Sequence, residues 1–408
     1  MTTAAFVDFD VNLAGMDDVG PSNWGDQRPV PGVFHYRGVA TSDQSIGTNA
    51  HGHTGRTANS GAYGLQGSAI SGATRTTYVT NKGVQMAIRR SVYSIGSEVW
   101  LTMDMKGLAN IGATSLSSAY EPTADWAQMF RWGDVSIRCK SATYEPPSSP
   151  AQYTMLFSIR NNGTEVATLS VPNVLPTDWM FLTVYVKLDA TTGAITCTID
   201  GVAQSVAYTG QNTVAVIALA SATEVYFSPW TLDNLSTLYS GSMDNVWIGT
   251  VGFPAGRPRG ERWRVLSDNT LVNWEAEGTA PTTVTVALFD AADAKAARGH
   301  SGGGSALLNM QSYVTTGLET DLVGFNLYCK KPSNRDANAD RRLSVGMSLS
   351  GVHSMGTVVA GTVLSVDSVG TPPAVAFVHL TDYVYQKSGG GSFTITDLST
   401  ILARLLTV

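Results

Sequence analysis

The sequence predicts an all-β chain of antiparallel sheets, divided into a larger N-terminal and a smaller C-terminal part and ending in one short helix. Three observations predict it: apolar residues that alternate with period two, tight turn sequences between alternating runs, and few charges with many turn formers. Charged residues make up 14% of the 408, well below the roughly 25% of an ordinary soluble domain, and 41 glycines stand with abundant Ser, Thr and Asn. Short polar side chains cover surface without charge and suit the turns between many strands. Few charges also suit surfaces buried between subunits.

The alternation is clearest in two places. In EVWLTMDMK, Val99, Leu101, Met103 and Met105 alternate with Trp100, Thr102 and Asp104, marking a strand with one polar-leaning face. Between residues 153 and 208, YTMLFSIRNNGTEVATLSV places two alternating runs around Asn161-Asn162-Gly163, a sequence that tolerates positive φ. WMFLTVYVKLDATTGAITCTIDGVAQ then places Met180, Leu182, Val184, Val186 and Leu188 on one face and Ile195, Cys197 and Ile199 on the next arm, with Asp200-Gly201 as a further tight turn. Sequential hairpins of this kind build antiparallel sheets around a shared core. MDNVWIGT, residues 243–250, reads as the closing strand of this part. Residues 5–80 read as two or three short strands with long loops.

A hydrophobic content of 43% supports a sizeable core, and 408 residues suffice for two or three domains. The boundary is expected in GFPAGRPRGERWRV, where prolines and glycines interrupt the alternation. The expected division is residues 1–253, a junction at 254–275, and a C-terminal β domain at 276–408. Strands are expected there near 284–289, 313–330, 343–349, 357–366 and 374–386, with two SGGGS loops at 301–305 and 388–392. The final DLSTILARLLTV predicts a helix, because Leu398, Ile401, Leu402, Leu405 and Leu406 follow the spacing of one helix face and Asp397 fits its N-cap. Leu398, Ile401, Leu402 and Leu405 are thereby the candidate subunit contacts.

The net charge of −6 and the scattered basic residues exclude the concentrated positive field that nucleic-acid binding requires. The longest apolar run, Val214 to Ala220, is far short of the roughly 20 residues of a membrane span, and no basic-apolar leader opens the chain. The expectation is a chain made in a cytoplasm, without membrane insertion. Cys139, Cys197 and Cys329 are odd in number and far apart, which reads as buried free thiols. The glycosylation-like triplets at Asn162 and Asn234 carry no weight without a secretory route.

A search for chemistry predicts a non-enzymatic chain with no cofactor. Neither a phosphate-cradling G-x-x-x-x-G-K-[ST] nor H-E-x-x-H occurs. G-x-S-x-G occurs once, as GHSGG at 299–303, where Ser301 opens a glycine loop rather than a strand-to-helix turn. Paired carboxylates for sugar cleavage would have to come from Asp8, Asp10, Asp17, Asp18, Glu98 and Asp104, which sequence cannot pair across a sheet. His51 and His53 lack a third ligand and Asp8–Asp10 lacks the six or so oxygens of a calcium site, so no metal is expected. Among Trp179, Trp230, Trp247, Trp263 and Trp274, the loop-like Trp230 in YFSPWTLDN is the candidate glycan contact. Arg257, Arg259, Arg262 and Arg264 are expected to meet a partner or to pair with Glu261, Glu275 or Glu277.

The stretch from Trp179 to Val202, a Trp, an alternating strand, a glycine turn, a second strand and Asp-Gly-Val, resembles the hairpin of the concanavalin A-like/laminin-G superfamily. HTGRTANSGAYGLQGS (residues 53–68) and MDNVWIGT are similar to segments of its phage members, so that the resemblance covers roughly residues 1–253. GERWRVLSDNTLVNWEAEG, VGFNLYCKKPSNRDANADRRLSVGMSLSG and SFTITDLSTILARLLTV resemble the region that follows this domain in tailed-phage virion proteins. The junction departs from that pattern in carrying the Ala-rich DAADAKAAR in place of an acidic, Pro-rich stretch.

The resemblance implies a jelly-roll sandwich followed by a smaller β-sandwich. It also implies a virion role as a structural protein of the tail, fibre or baseplate, or as a head decoration. The partners so implied are other virion proteins and further copies of the chain, a trimer being one such homo-oligomer. A host-surface glycan is the ligand of the alternative reading, an adsorption protein, and a polysaccharide depolymerase is the third reading.

Overall fold

The computed structural model describes residues 2–7, 34–38, 65–66, 70–71, 84–91, 94–106, 128–145, 152–175, 178–234, 237–258, 265–278, 283–284, 295–299, 304–310, 325–326, 342–349, 364–365, 383–384 and 401–407. The chain divides into two compact units, Met1–Glu261 and Arg262–Val408. The first carries β1 (Thr2–Val7), β2 (Phe34–Gly38), β3 (Leu65–Gln66), β4 (Ile70–Ser71), β5 (Val84–Arg89), β6 (Glu98–Lys106), β7 (Phe130–Trp132), β8 (Val135–Glu145) and β9 (Gln152–Asn161). It continues with β10 (Thr164–Val174), β11 (Trp179–Lys187), β12 (Gly193–Ile199), β13 (Val202–Ala203), β14 (Tyr208–Gln211), β15 (Glu224–Phe227), β16 (Thr231–Asn234), β17 (Thr237–Ser240) and β18 (Ser242–Val251).

These strands form two large antiparallel sheets. One runs β1-β18-β6-β11-β12-β13, with β14 also on β12 and β3 on β18; the other runs β10-β9-β8-β7-β15-β5-β2. A small third sheet orders β16-β17-β4. Alternation decides which face of each sheet is buried. From the first sheet Val99, Leu101, Met103, Met105, Leu182, Val184, Val186, Ile195 and Ile199 enter the core, and from the second Phe130, Trp132, Ile137, Phe157, Ile159 and Phe227, all without solvent exposure. The result is the all-β antiparallel sandwich that the sequence predicts.

The turns are where the sequence places them. Asn162 (φ 49°) and Gly163 (φ 73°) join β9 to β10, and Asp200 (φ 49°) and Gly201 (φ 80°) join β12 to β13. Both pairs need positive φ at two successive positions, which Asn-Gly and Asp-Gly supply with least strain. Between β11 and β12, Asp189 accepts backbone hydrogen bonds from Thr191 (2.8 Å) and Thr192 (2.7 Å). Val214–Ala220, the longest apolar run, is no strand. It lies on the surface, with Val216 68% exposed, and the carboxylate of Asp134 holds it through the amides of Val216 (2.7 Å) and Ile217 (3.0 Å).

The second unit carries β19 (Val265–Val272), β20 (Trp274–Gly278), β21 (Lys295–Gly299), β22 (Ser305–Met310), β23 (Phe325–Asn326), β24 (Arg342–Leu349), β25 (Leu364–Ser365), β26 (Tyr383–Val384) and β27 (Ile401–Thr407). A five-stranded sheet runs β19-β22-β27-β24-β25, and β20 pairs with β21 and β23 with β26. The stretch expected as a junction thus supplies β19 and the start of β20, and the Ala-rich DAADAKAAR ends in β21.

The C-terminal helix is a misreading. Ile401–Thr407 is a strand in the middle of the five-stranded sheet, with Leu402 opposite Asn309 on β22 and Ile401 opposite Leu349 on β24. A short strand with apolar residues at consecutive positions carries no period-two signal, and Ile401-Leu402 and Leu405-Leu406 satisfy a helix template by coincidence. Ile401, Leu402 and Leu405 are therefore paired within the sheet of their own unit. Leu398 lies outside the described residues.

Candidate functional site

The outward face of β6, β11, β12 and β18 carries the candidate site. On β11, Met180, Leu182, Val184 and Val186 point into the core, so Trp179, Phe181, Thr183, Tyr185 and Lys187 stand half-exposed on the opposite face. On β6 the same alternation puts Trp100, Thr102, Asp104 and Lys106 on that side. Register turns these strands into rows. Lys187 lies opposite Glu98, Tyr185 opposite Trp100, Thr183 opposite Thr102, Phe181 opposite Asp104, and Trp179 opposite Lys106. On the far side of β11, Tyr185 faces Thr196 and Thr183 faces Thr198.

At one end Trp100 and Tyr185 form a ring pair, with centroids 4.9 Å apart and planes tilted by 34°. The Tyr185 hydroxyl hydrogen-bonds Glu98. Burial, followed by the Glu98 charge and this bond, raises the phenol pKa. Lys187 Nζ lies 3.9 Å from the same carboxylate. In the middle row the hydroxyls of Thr183 and Thr198 are hydrogen-bonded at 2.6 Å. Thr102, 1% exposed, points to this face, and its Oγ1 has no hydrogen-bond partner among the described residues.

At the other end the charges gather. The β6–β18 register shifts between Asp244 and Trp247, a bulge in which Asn245 takes φ 47°. Bulges re-aim side chains, and this one sends Asn245 Nδ2 to Asp104 Oδ2 at 2.8 Å. Asp104 and Asp244, opposite each other, are both fully buried. After β18 the chain returns, and Arg257 donates from Nε to Asp104 Oδ1. The guanidinium also lies 5.3 Å from the ring centroid of Phe181. Asp200, beyond Phe181, accepts the Phe181 amide at 2.8 Å and donates its own amide to the Phe181 carbonyl at 2.9 Å. Burial of the Asp200 carboxyl raises its pKa, with the charges of Asp104 and Asp178 adding to the rise while the Phe181 amide and Arg257 oppose it.

Trp230, the candidate glycan contact, is not on this face. It is 1% exposed, its Nε1 donates to the Lys106 carbonyl at 2.6 Å, and its ring packs against Gly241, so it offers no ring face to a sugar. Trp247 is fully buried and Trp179 half-exposed; Trp274 is half-buried in the second unit. Of the acidic candidates, Glu98 and Asp104 reach the site. Asp8, Asp10, Asp17, Asp18, His51, His53, Trp263, Arg259, Arg262, Arg264, Cys329 and Ser301 lie outside the described residues. Cys139 and Cys197 are buried thiols outside any disulfide. Among the described residues, no group of three or more His, Cys, Asp or Glu is placed to hold a metal ion, and no helix is long and apolar enough to cross a membrane.

Sequence reasoning passed over Trp100, Phe181, Tyr185, Thr183 and Asp200 as site residues. The signal was present: aromatic residues on the polar-leaning side of two strongly alternating runs.

No family model matches the chain, and no curated protein matches it. Solved structures do. The catalytic domain of a glycoside hydrolase family 131 protein from Coprinopsis cinerea matches at 14% identity and a TM-score of 0.36, over 62% of this chain and 96% of that one. An alginate lyase from Chlorella virus matches at 9% identity and a TM-score of 0.29, over 60% and 99%. A glycosyl hydrolase family 16 protein from Mycobacterium smegmatis matches at 8% and 0.28, over 60% and 100%.

The class that fold and face define is an antiparallel jelly-roll sandwich. No residue role transfers from these structures to this chain. The expectation of a non-enzymatic chain does not stand, and the matched structures are those of hydrolases and a lyase. The motif search could not exclude catalysis, since carboxylates on separate strands leave no local motif, and one fold serves many functions.

Proposed function

We propose that the outward face of β6, β11 and β12 binds a glycan, and that host-surface polysaccharide is its ligand. The observation that carries this reading is the Trp100–Tyr185 ring pair, half-exposed on a sheet face and followed along it by threonine hydroxyls and by charged groups. A sugar ring offers apolar C–H groups on its faces and hydroxyls around its rim. Aromatic faces bind the first, and hydroxyl, carboxylate and guanidinium groups bind the second. A glycan array probed with the full chain tests the reading. Binding to at least one polysaccharide is expected, and an array blank at high protein concentration overturns it.

Cleavage of the bound glycan is a second reading, favoured by one observation. Asp104 and Asp200 flank Phe181 in a single row, one carboxyl fully buried against Arg257 and the other with a raised pKa. Two carboxyl groups in unlike environments are the pairing that glycoside hydrolysis uses. Release of reducing ends from the bound polysaccharide, lost in Asp200→Asn, supports it; no release disposes of it.

For the setting we propose the virion of a tailed bacteriophage, assembled in a bacterial cytoplasm, with the chain as a homo-oligomeric component of the tail, fibre or baseplate. This rests on the resemblance of residues 262–408 to the region that follows the lectin-like domain in phage virion proteins. Mass spectrometry of purified particles tests it, and particles without this chain overturn it.

A further inference from the structure

We infer that the face takes an extended, uncharged polysaccharide segment rather than an acidic glycan or a single terminal sugar. This rests on the proposed glycan binding and names the class of ligand. The first argument is charge. Glu98, Asp104, Asp178, Asp200 and Asp244 lie on or beside the face, against Lys106, Lys187 and Arg257. Arg257 is already engaged by Asp104 and by the Phe181 ring, and Lys187 lies beside Glu98. At the Glu98 end Lys187 balances the carboxylate, but at the Phe181 end Asp178 and Asp200 stand beside the Asp104–Arg257 pair. A uronic or sialic acid carboxylate would meet like charge there, and like-charge opposition is an effective means of rejection. Neutral hydroxyls instead find carboxylate acceptors and lose nothing to repulsion.

The second argument is length. Phe181, Thr183 and Tyr185 project from alternate positions on one strand, so the row of Tyr185 and the row of Phe181 are separated by roughly 13 Å at the rise of a β-strand. That span exceeds one pyranose ring. A chain seated on Trp100 and Tyr185 runs over the Thr183–Thr198 hydroxyl pair towards Arg257 and Asp200.

Affinity electrophoresis of the full chain through gels of neutral β-glucan, arabinan, alginate and hyaluronan tests the inference, with free monosaccharides as competitors. Neutral chains are expected to retard the protein at least tenfold more strongly than acidic chains, with little change between low and high salt. Monosaccharides are expected to compete at least tenfold more weakly than oligosaccharides. Glu98→Gln with Asp200→Asn is expected to narrow the neutral-over-acidic preference. Retardation chiefly by alginate or hyaluronan, lost in Trp100→Ala, would overturn the ligand class and leave glycan binding standing. Competition by a monosaccharide equal to that of its oligomers would overturn the extended path. Absence of retardation in every gel would overturn both this inference and the glycan reading beneath it.

Discussion

Asp104 and Arg257 are separated by 153 residues and joined by a charge-assisted hydrogen bond, the carboxylate fully buried and the guanidinium side chain 28% exposed. The contact fixes the segment after β18 against the outward face of β6, and the same guanidinium covers Phe181. A buried charge with one partner removed is strongly destabilising, whereas neutralising both groups is much better tolerated. Arg257→Met is therefore expected to cost about 3 kcal/mol, and Asp104→Asn with Arg257→Met to recover part of that loss. Urea unfolding of the single and double variants measures it.

Trp230 is structural, and Gly241 is the reason that it fits. A Cβ at position 241 would overlap the indole ring, and Gly241→Ala is expected to destabilise by about 1–3 kcal/mol. Trp230→Ala, which empties a buried site, is expected to cost about 3–5 kcal/mol. Thermal unfolding checks both. Glycan affinity of either variant, measured below its unfolding transition, is expected to match the wild type.

Asp189 gives the fold an acid-sensitive turn. Its carboxyl accepts the backbone amides of Thr191 and Thr192 and lies at about 2, below its ordinary value of 3.8. A carboxyl with a lowered folded pKa contributes stability that is full above the unfolded value and lost as pH falls through the folded one. The unfolding midpoint of the wild type is expected to drop between pH 4 and about 2 more steeply than that of Asp189→Asn.

Cys197 is expected to be inert in the folded protein. Full burial pushes its thiol up to about 12, so the reactive thiolate is scarce at neutral pH and also shielded. Mass spectrometry after alkylation at pH 8 should find the peptide carrying Cys197 unmodified in native protein and labelled once the chain is unfolded.

The central position of β27 makes the terminal segment essential to the second unit. Leu405→Pro removes a ladder donor between β22 and β24, and loss of sheet signal from that unit is expected in circular dichroism.

The first unit was legible where apolar residues alternate with polar or aromatic ones. Val99 to Met105 and Met180 to Leu188 alternate cleanly, and Asn162-Gly163 and Asp200-Gly201 mark their own turns. β27 was misread because its apolar residues fall at consecutive positions and do not alternate. The site was half legible: Trp100, Phe181 and Tyr185 sit on the polar side of readable strands, but their rows exist only through register. The Asp104–Arg257 and Asp104–Asn245 contacts depend on a bulge and on a returning segment, neither of which local sequence encodes.

The central claim is that Trp100 and Tyr185 make the glycan platform, and calorimetric titration of the polysaccharide that binds best tests it most directly. The account predicts that Trp100→Ala and Tyr185→Ala each weaken binding at least tenfold while the unfolding transition stays cooperative, with Trp230→Phe unchanged in affinity. Wild-type affinity in both Trp100→Ala and Tyr185→Ala would contradict it.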